Sequence, residues 1–423
     1  MSLINKILRD KELWIIGIII FGFAGLNLPF AITRGLRLFS YGMVLLIFLR
    51  RRNHITYLIS QDKILLTLHI LAIFSVLWTV DPYITLTRFL ALARTTLVGI
   101  ILATYPLKDQ AMLFTKILII AIFLSLLAVI ALPSYGIREG SGYWQGIFVF
   151  KFSLGLFMAY GFSLTFSKFL FATQSFKDKV ASALISLAAL ILIIFSESVT
   201  SLVMVLVSML LIPFYVAAKQ GKKIKASVFV FLILGILVGT LLIFSNLDFI
   251  VEDLLGKDLT FTGRQSLWTE IIDQVMKRPL LGYGFHAFWH SDESLIAVSK
   301  NGWPRLPPPG EYLVDFHSHS GYVEIFSQLG FLGLFLMGLS YTIVLARIFR
   351  YLSTNPSIES LWMLQIVMMM IASNYSDVPS FMAANNLQWI LYASISTTTM
   401  LYFRRLNKER KKSSNGYTFA TSK

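Results

Sequence analysis

The sequence predicts an all-α integral membrane protein of about 12 transmembrane helices, with one large extracytoplasmic loop that contains helices of its own. Three observations carry this expectation. The mean hydropathy is +0.71, 56% of residues are hydrophobic and only 14% are charged, which is the composition of a membrane protein. The apolar runs are each near the ~20 residues that a helix needs to cross a hydrocarbon core. Finally, 25 of the 37 Lys and Arg residues fall in alternate short loops or in the tail, and the positive-inside rule makes that side cytoplasmic.

In chain order the expected spans are 13–33, 36–50, 63–80, 84–104, 111–132, 146–167, 180–196, 199–217, 226–245, 320–349, 358–376 and 385–403. The chain then divides into nine helices over 1–245, an outer loop over 246–318, three helices over 319–405 and a basic cytoplasmic tail over 406–423. Basic groups such as Arg50, Arg51, Arg52 and Lys63, or Lys219, Lys222, Lys223 and Lys225, mark the inner loops, and both termini fall on their side. The loop Asn246–Ser318 holds six basic and ten acidic residues, a net of −4. The formal charge of +15 therefore orients the protein in the membrane and does not recruit nucleic acid. The first apolar run is expected to stay as a span, because more spans and no small-residue cleavage site follow it. Without cysteine there are no disulfides and no thiolate chemistry. No transporter-like internal repeat is visible. The polar tail after Lys411 reads as disordered, and Trp303–Gly310 (WPRLPPPG) as a stiff, extended piece of the loop.

The outer loop is where chemistry concentrates. Thr262 and Gln265 have capping-box spacing, so a helix is expected from Gly263. Leu267, Trp268, Ile271, Ile272, Val275 and Met276 form one apolar stripe along it, and Pro279 and Gly282 end it. Arg264 stands at the head of that stripe, where a helix N-terminus and a cation together make an anion site. A surface charge on a helix that merely lids the membrane domain is the plainer alternative.

Charges in or against the apolar spans are costly unless paired or wetted. Arg88 and Arg94 lie in the fourth span, Arg138 in a short outer loop, Lys151 at the start of the sixth span, and Glu197 in a turn between two short spans. Snorkelling or a wet turn accounts for each of them singly. Arg138, Lys151 and Arg264 together are cations on one outer face. Four of the six histidines are in the loop or at its end: His286 and His290 are spaced i, i+4, and His317 and His319 are two apart. Neither pair has a recognised zinc spacing, so no metal or other cofactor is expected. Acid–base work suits them better. A helix beginning at Ser318 or Ser320 would put His319 at its N-terminal end, where the dipole favours a neutral, proton-accepting imidazole. Asp315 or Glu324 would hold that ring in its tautomer.

Three loop segments taken in order, TGRQSLW, RPLLGYGFHAFW and HSHSGYVEIFSQLGFLGL, resemble the bacterial O-antigen ligase and Wzy-type O-antigen and exopolysaccharide polymerase superfamily. GIFVFKFSLG, FSESVTSLV and WTVDPYITLTRFLALAR resemble further motifs of that family, so the likeness runs from about Trp78 to Leu334. Two departures stand out: Ser320 follows His319 where the family has Asn, and Phe150 and Phe152 flank Lys151 in place of a polar pair. The resemblance implies a metal-independent, GT-C-like membrane glycosyltransferase in the bacterial inner membrane, with its active site facing the periplasm. The implied donor is a glycan on undecaprenyl pyrophosphate, and the acceptor is a lipid-linked repeat unit (polymerase) or lipid A–core (ligase). A lipid-linked sugar transporter is the remaining alternative. Arg264, Arg138, Lys151 and Arg88 are the expected pyrophosphate contacts, and His319 with Asp315 and Glu324 the catalytic set. His317, Arg278 and Tyr283 are secondary candidates.

Overall fold

A computed structural model describes residues 3–171, 175–220, 264–300, 307–308, 311–313, 316–376 and 379–420. Among these residues the fold is helical, without a strand; the extended backbone makes only isolated bridges, Leu26 with Phe148 and Ile137 with Trp144. The helices are α1 (Leu3–Gly22), α2 (Phe30–Arg50), α3 (Arg52–Gln61), α4 (Lys63–Phe74), α5 (Pro82–Leu102), α6 (Leu107–Ala131), α7 (Pro133–Gly136), α8 (Lys151–Phe171), α9 (Phe176–Phe195), α10 (Val199–Leu210) and α11 (Ile212–Ala218). In the segment expected to form the outer loop lie α12 (Arg264–Val275) and α13 (Asp292–Ser299), followed by α14 (Gly321–Thr354), α15 (Ile358–Ser376) and α16 (Leu387–Ala420).

The bundle is built around α8. Every residue from Leu154 to Thr165 is buried, so this helix has no lipid-facing side and sits among α6, α9, α10 and α15. Small residues let helices close on one another. A Cβ added at Gly99 of α5 would lie 2.6 Å from the Ile390 carbonyl oxygen of α16, which is why these two helices pack so tightly. By contrast α2 is an edge helix, with only 17% of its apolar stretch buried. Two buried carboxylates are paired with arginines, as low polarity favours: Arg51 meets Glu12 at 2.9 Å, and Arg347 meets Asp62 at 3.4 Å while Ser396 Oγ donates to the same carboxylate at 2.7 Å.

Seven spans among the described residues are long and apolar enough to cross a membrane, α10 and α11 counting as one; the pair α3–α4, bent by 90°, makes up to eight. Twelve are thus not seen. The expected ninth span, 226–245, lies outside the described residues, and α1 and α16 carry charged residues along part of their length. The tail read as disordered continues α16 as helix to Ala420, because Asn407–Ser414 is rich in Lys, Glu and Arg, which favour helix. In α12 the buried stripe is narrower than expected. Leu267, Ile271 and Val275 are buried, with Gln274 beside them, whereas Ile272 and Met276 are exposed. Thr262 and Gly263 lie outside the described residues, as does most of Trp303–Gly310.

Candidate functional site

The loop is fastened to the bundle through a break in α14. Gly330 (φ 62, ψ −158) interrupts the helix, so the carbonyls of Ser327 and Gln328 lose their usual partners, the amides of Phe331 and Leu332. The RPLLGYG segment replaces them on both sides. Tyr283 and Gly284 amides donate to the Ser327 and Gln328 carbonyls at 3.0 and 2.9 Å, while Phe331 and Leu332 amides donate to the Pro279 and Leu280 carbonyls at 2.8 and 3.2 Å. Such backbone-to-backbone contact leaves no room for a Cβ: at Gly282 one would lie 2.7 Å from the Gln328 carbonyl carbon. The early WTVDPY motif docks on the same segment. Trp78 Nε1 donates to the Leu281 carbonyl at 2.9 Å, the Val80 amide to the Tyr283 carbonyl at 3.1 Å, and Thr85 Oγ1 to the Phe285 carbonyl at 3.0 Å.

The HSHS turn enters α14 at this junction. Helix α14 begins at Gly321 with Ser320 as its N-cap. Buried Glu324 reaches back beyond the helix start: Oε2 accepts from the Ser318 amide at 2.9 Å, and Oε1 accepts from Trp289 Nε1 at 2.9 Å and Gln328 Nε2 at 2.8 Å. Trp268 Nε1 of α12 donates to the Ser318 carbonyl at 2.7 Å. His319 takes a positive φ of 55°, and its amide donates to His317 Nδ1 at 3.2 Å, which leaves the proton of a neutral His317 on Nε2. The two rings come within 4.2 Å. Burial lowers the His317 pKa, with Glu324 opposing and Arg264 reinforcing the shift. His319 is lowered to about 3, first by burial, then by His317 and Arg264. Both rings are therefore neutral at neutral pH and able to accept a proton.

A cavity of about 210 Å³ opens beside this turn. Its walls include Arg88 of α5, His286, Trp289 and His290 of the loop, His317, and Glu324 and Gln328 of α14. The segment 379–386 closes the remaining side. Asn374 pins that segment by accepting the Ser380 and Phe381 amides at 3.0 and 3.4 Å, and the Asn385 amide donates to Thr95 Oγ1 at 3.0 Å. His290 Nδ1 meets Asp81 at 3.1 Å, and Asp81 also caps α5 through the Ile84 amide at 3.0 Å.

The expected site residues thus separate into groups. Arg88, His317 and Glu324 line the cavity, and His319 stands against His317. Arg264 is close enough for its charge to act on both histidines. His317, a secondary candidate from the sequence, faces the cavity, and the positive φ at His319 folds the two rings together. Arg138 is exposed in the α7–α8 connection, and Lys151 begins α8 with its Nζ 4.6 Å from the centre of the Tyr143 ring; neither is among the cavity's walls. Tyr283 is a fastening. Its hydroxyl donates to the Gln274 carbonyl at 3.0 Å, Arg278 lies over its ring at 4.9 Å, and burial leads the rise of its pKa to about 12. Asp315 lies outside the described residues. His286 and His290 do not share a helix face, since His286 has a positive φ of 58° and only Phe288–His290 is helical, as 3₁₀. Among the described residues no three of His, Asp or Glu converge as a metal-ligand set. Asp81 and the segment 379–386 were not foreseen as parts of the site. Their only sequence signals are the Asp-Pro pair at 81–82 and the polar run ahead of the last apolar stretch.

Residues 183–338 match the model of the O-antigen ligase family. A stretch of 155 residues is 25% identical to the exopolysaccharide production protein ExoQ of Rhizobium meliloti (strain 1021), covering 36% of this chain and 34% of that protein. The chain thus matches about a third of the length of this curated relative. The likeness to the O-antigen ligase and Wzy-type polymerase superfamily, first carried by the loop motifs, is thereby upheld across residues 183–338.

Proposed function

We propose that the protein is an inner-membrane glycosyltransferase that moves a glycan from undecaprenyl pyrophosphate to an acceptor hydroxyl on the periplasmic side. The observation that carries this is the meeting of His317 and Arg88 at one cavity, with the neutral ring of His319 packed against His317 and the charge of Arg264 reaching both histidines. Transfer requires three things. The acceptor oxygen attacks the anomeric carbon, the bond from that carbon to the pyrophosphate oxygen breaks, and the hydroxyl proton passes to a base. His319 is the base and His317 its neighbour on the cavity wall. Arg264 and Arg88 stabilise the charge that grows on the leaving pyrophosphate. A base held near pKa 3 is weak, but phosphate charges beside the pair offset Arg264 and raise it toward the working pH. Glu324 fixes the HSHS turn through its three hydrogen bonds and keeps the rings in place.

The acceptor is a further lipid-linked repeat unit, which makes the enzyme a polymerase. This follows the printed name of the relative, which concerns exopolysaccharide production. The family's description favours the second reading, a ligase with lipid A–core as acceptor. Reconstituted protein given defined lipid-linked oligosaccharide tests both. The polymerase lengthens the product without another acceptor, and the ligase forms product only when lipid A–core is added. His319→Ala should cost ~10²–10⁴-fold in rate. Arg264→Ala should abolish product, and Arg264→Lys should restore it in part because a point charge cannot make two-pronged phosphate contacts. Wild-type rates from both alanine variants would overturn the proposal.

A further inference from the structure

Helix α5 runs between two cavities. It begins beside the candidate site, where Asp81 caps it and Arg88 walls the cavity, and it ends at Leu102 next to a second hollow of about 570 Å³. A helix of 21 residues is about 30 Å long, so the two cavities lie a membrane's thickness apart. The walls of the second include Leu49, Arg50, Arg51, Arg52, Thr104 and Tyr105, with no carboxylate among them.

The local structure sets the charge of this hollow. Helix α2 ends at Arg50 and α3 starts at Arg52, and Arg51 between them is tied down. It meets Glu12 at 2.9 Å, its Nη1 donates to Thr104 Oγ1 at 3.4 Å, and it lies 5.9 Å from the centre of the Tyr105 ring. Arg50 and Arg52 on either side are exposed, and among the described residues neither forms an ion pair. The one carboxylate of Glu12 thus leaves two of the three arginines unmatched. The His54 and Ile55 amides both turn back to the Arg51 carbonyl, and the first two amides of α3, those of Arg52 and Asn53, precede any intrahelical partner.

These features select the ligand. Unmatched arginines beside a helix start take an anion, and phosphate suits the guanidinium fork. The volume is far larger than a bare phosphate needs and falls in the range of roughly 300–1,000 Å³ that holds a small organic molecule. Leu49 joins the wall to the outer side of α2, where Leu45, Leu46 and Leu49 are each more than half exposed. An apolar strip that runs into a basic hollow at the end of a span matches a phospholipid, chains on the strip and head group in the hollow. A zwitterionic head would bring an ammonium as well, and the nearby carboxylate is already engaged by Arg51. We propose that this hollow holds the head group of an anionic phospholipid in the leaflet opposite the candidate site, its phosphate between Arg50 and Arg52.

Native mass spectrometry of the full chain tests this with phosphatidylglycerol, phosphatidylcholine and soluble glycerol 1-phosphate as probes. The wild type should retain phosphatidylglycerol about tenfold more strongly than phosphatidylcholine, and should not hold glycerol 1-phosphate at the same concentration. The double variant Arg50→Gln/Arg52→Gln should bind the two lipids alike, because the charge that prefers an anion is gone. Both residues are exposed and unpaired, so the variant reports on binding and not on folding. Lys177→Gln/Lys179→Gln removes two exposed charges from α9, outside the hollow, and should leave the preference intact. Equal retention of both lipids by the wild type, a preference that survives in the arginine variant, or one that falls equally in the lysine variant overturns the site. Glycerol 1-phosphate held as tightly as the lipid assigns the hollow to a soluble phosphate compound and overturns the lipid. The readout involves no glycan transfer, so either result leaves the transferase proposal to its own assay.

Discussion

Replacing Gly330 with alanine probes the junction on which the candidate site is assembled. At φ 62 and ψ −158, Gly330 occupies a region open in practice only to glycine, and forcing another residue there costs ~1–3 kcal/mol. An added Cβ would also lie 2.4 Å from the Leu280 carbonyl carbon and 2.5 Å from its oxygen, and that backbone cannot swing aside alone. The relaxed alternative is a straightened α14 that closes its own bonds from Phe331 to Ser327 and from Leu332 to Gln328. The segment 279–284 is then left with four unanswered backbone groups, each worth ~1 kcal/mol net. The protein takes whichever of these routes costs less, so the loss is at most about 4 kcal/mol. The expected result is a loop that trypsin cuts after Lys277 far faster than in the wild type, while total helix content by circular dichroism is kept. Gly282→Ala strikes the same junction from the other side, 2.7 Å from the Gln328 backbone. The double variant should therefore be little worse than either single one, since both break one shared contact. Wild-type protease resistance in Gly330→Ala, or two effects that add in full, would refute the docking argument.

The remaining predictions use other assays. Trp289→Phe keeps the ring but removes one of the three donors to buried Glu324, so it should lower stability by ~1–3 kcal/mol in a thermal melt; an unchanged Tm would mean that the carboxylate is satisfied by other groups. His319 has a folded pKa of about 3 against an ordinary 6.5, so between those values the folded protein binds fewer protons than the unfolded chain. Its contribution is complete above pH 6.5 and is lost as the pH falls toward 3, and His319→Asn should flatten the decline of Tm on acidification. Identical pH slopes for the two proteins would count against the burial of that ring. Single cysteines at Lys222 and Lys300 should label from the cytoplasmic and outer faces respectively, and labelling of both from one face would sink the topology. Chelators should leave transfer intact; stoichiometric zinc whose removal stops the reaction would reverse the metal-free mechanism.

What the sequence discloses follows from what the bilayer demands. Apolar runs must close their backbone bonds within a helix, so helical class and the sidedness of charge are written in composition and spacing. The junction at Gly330 is not. Its partners are backbone groups 44 to 52 residues apart in the chain, and backbone pairing leaves no side-chain pattern; only the glycines hint that something approaches closely. The width of the stripe on α12 was misjudged for a related reason. Periodicity says which residues share a face, but the extent of the partner decides how much of that face is covered. Histidine spacing is uninformative at His286, because i, i+4 means adjacency only on a helix, and a positive φ there ends any such register. Sidedness likewise grouped Arg138, Lys151 and Arg264 as equivalent outer cations. Within the bundle they differ, since the charge of Arg264 reaches the two histidines while Lys151 packs on Tyr143. Membrane sidedness fixes one coordinate of a residue. The other two are set by which loop backbone fits the gap in which helix, and at this site that gap is the one Gly330 opens in α14.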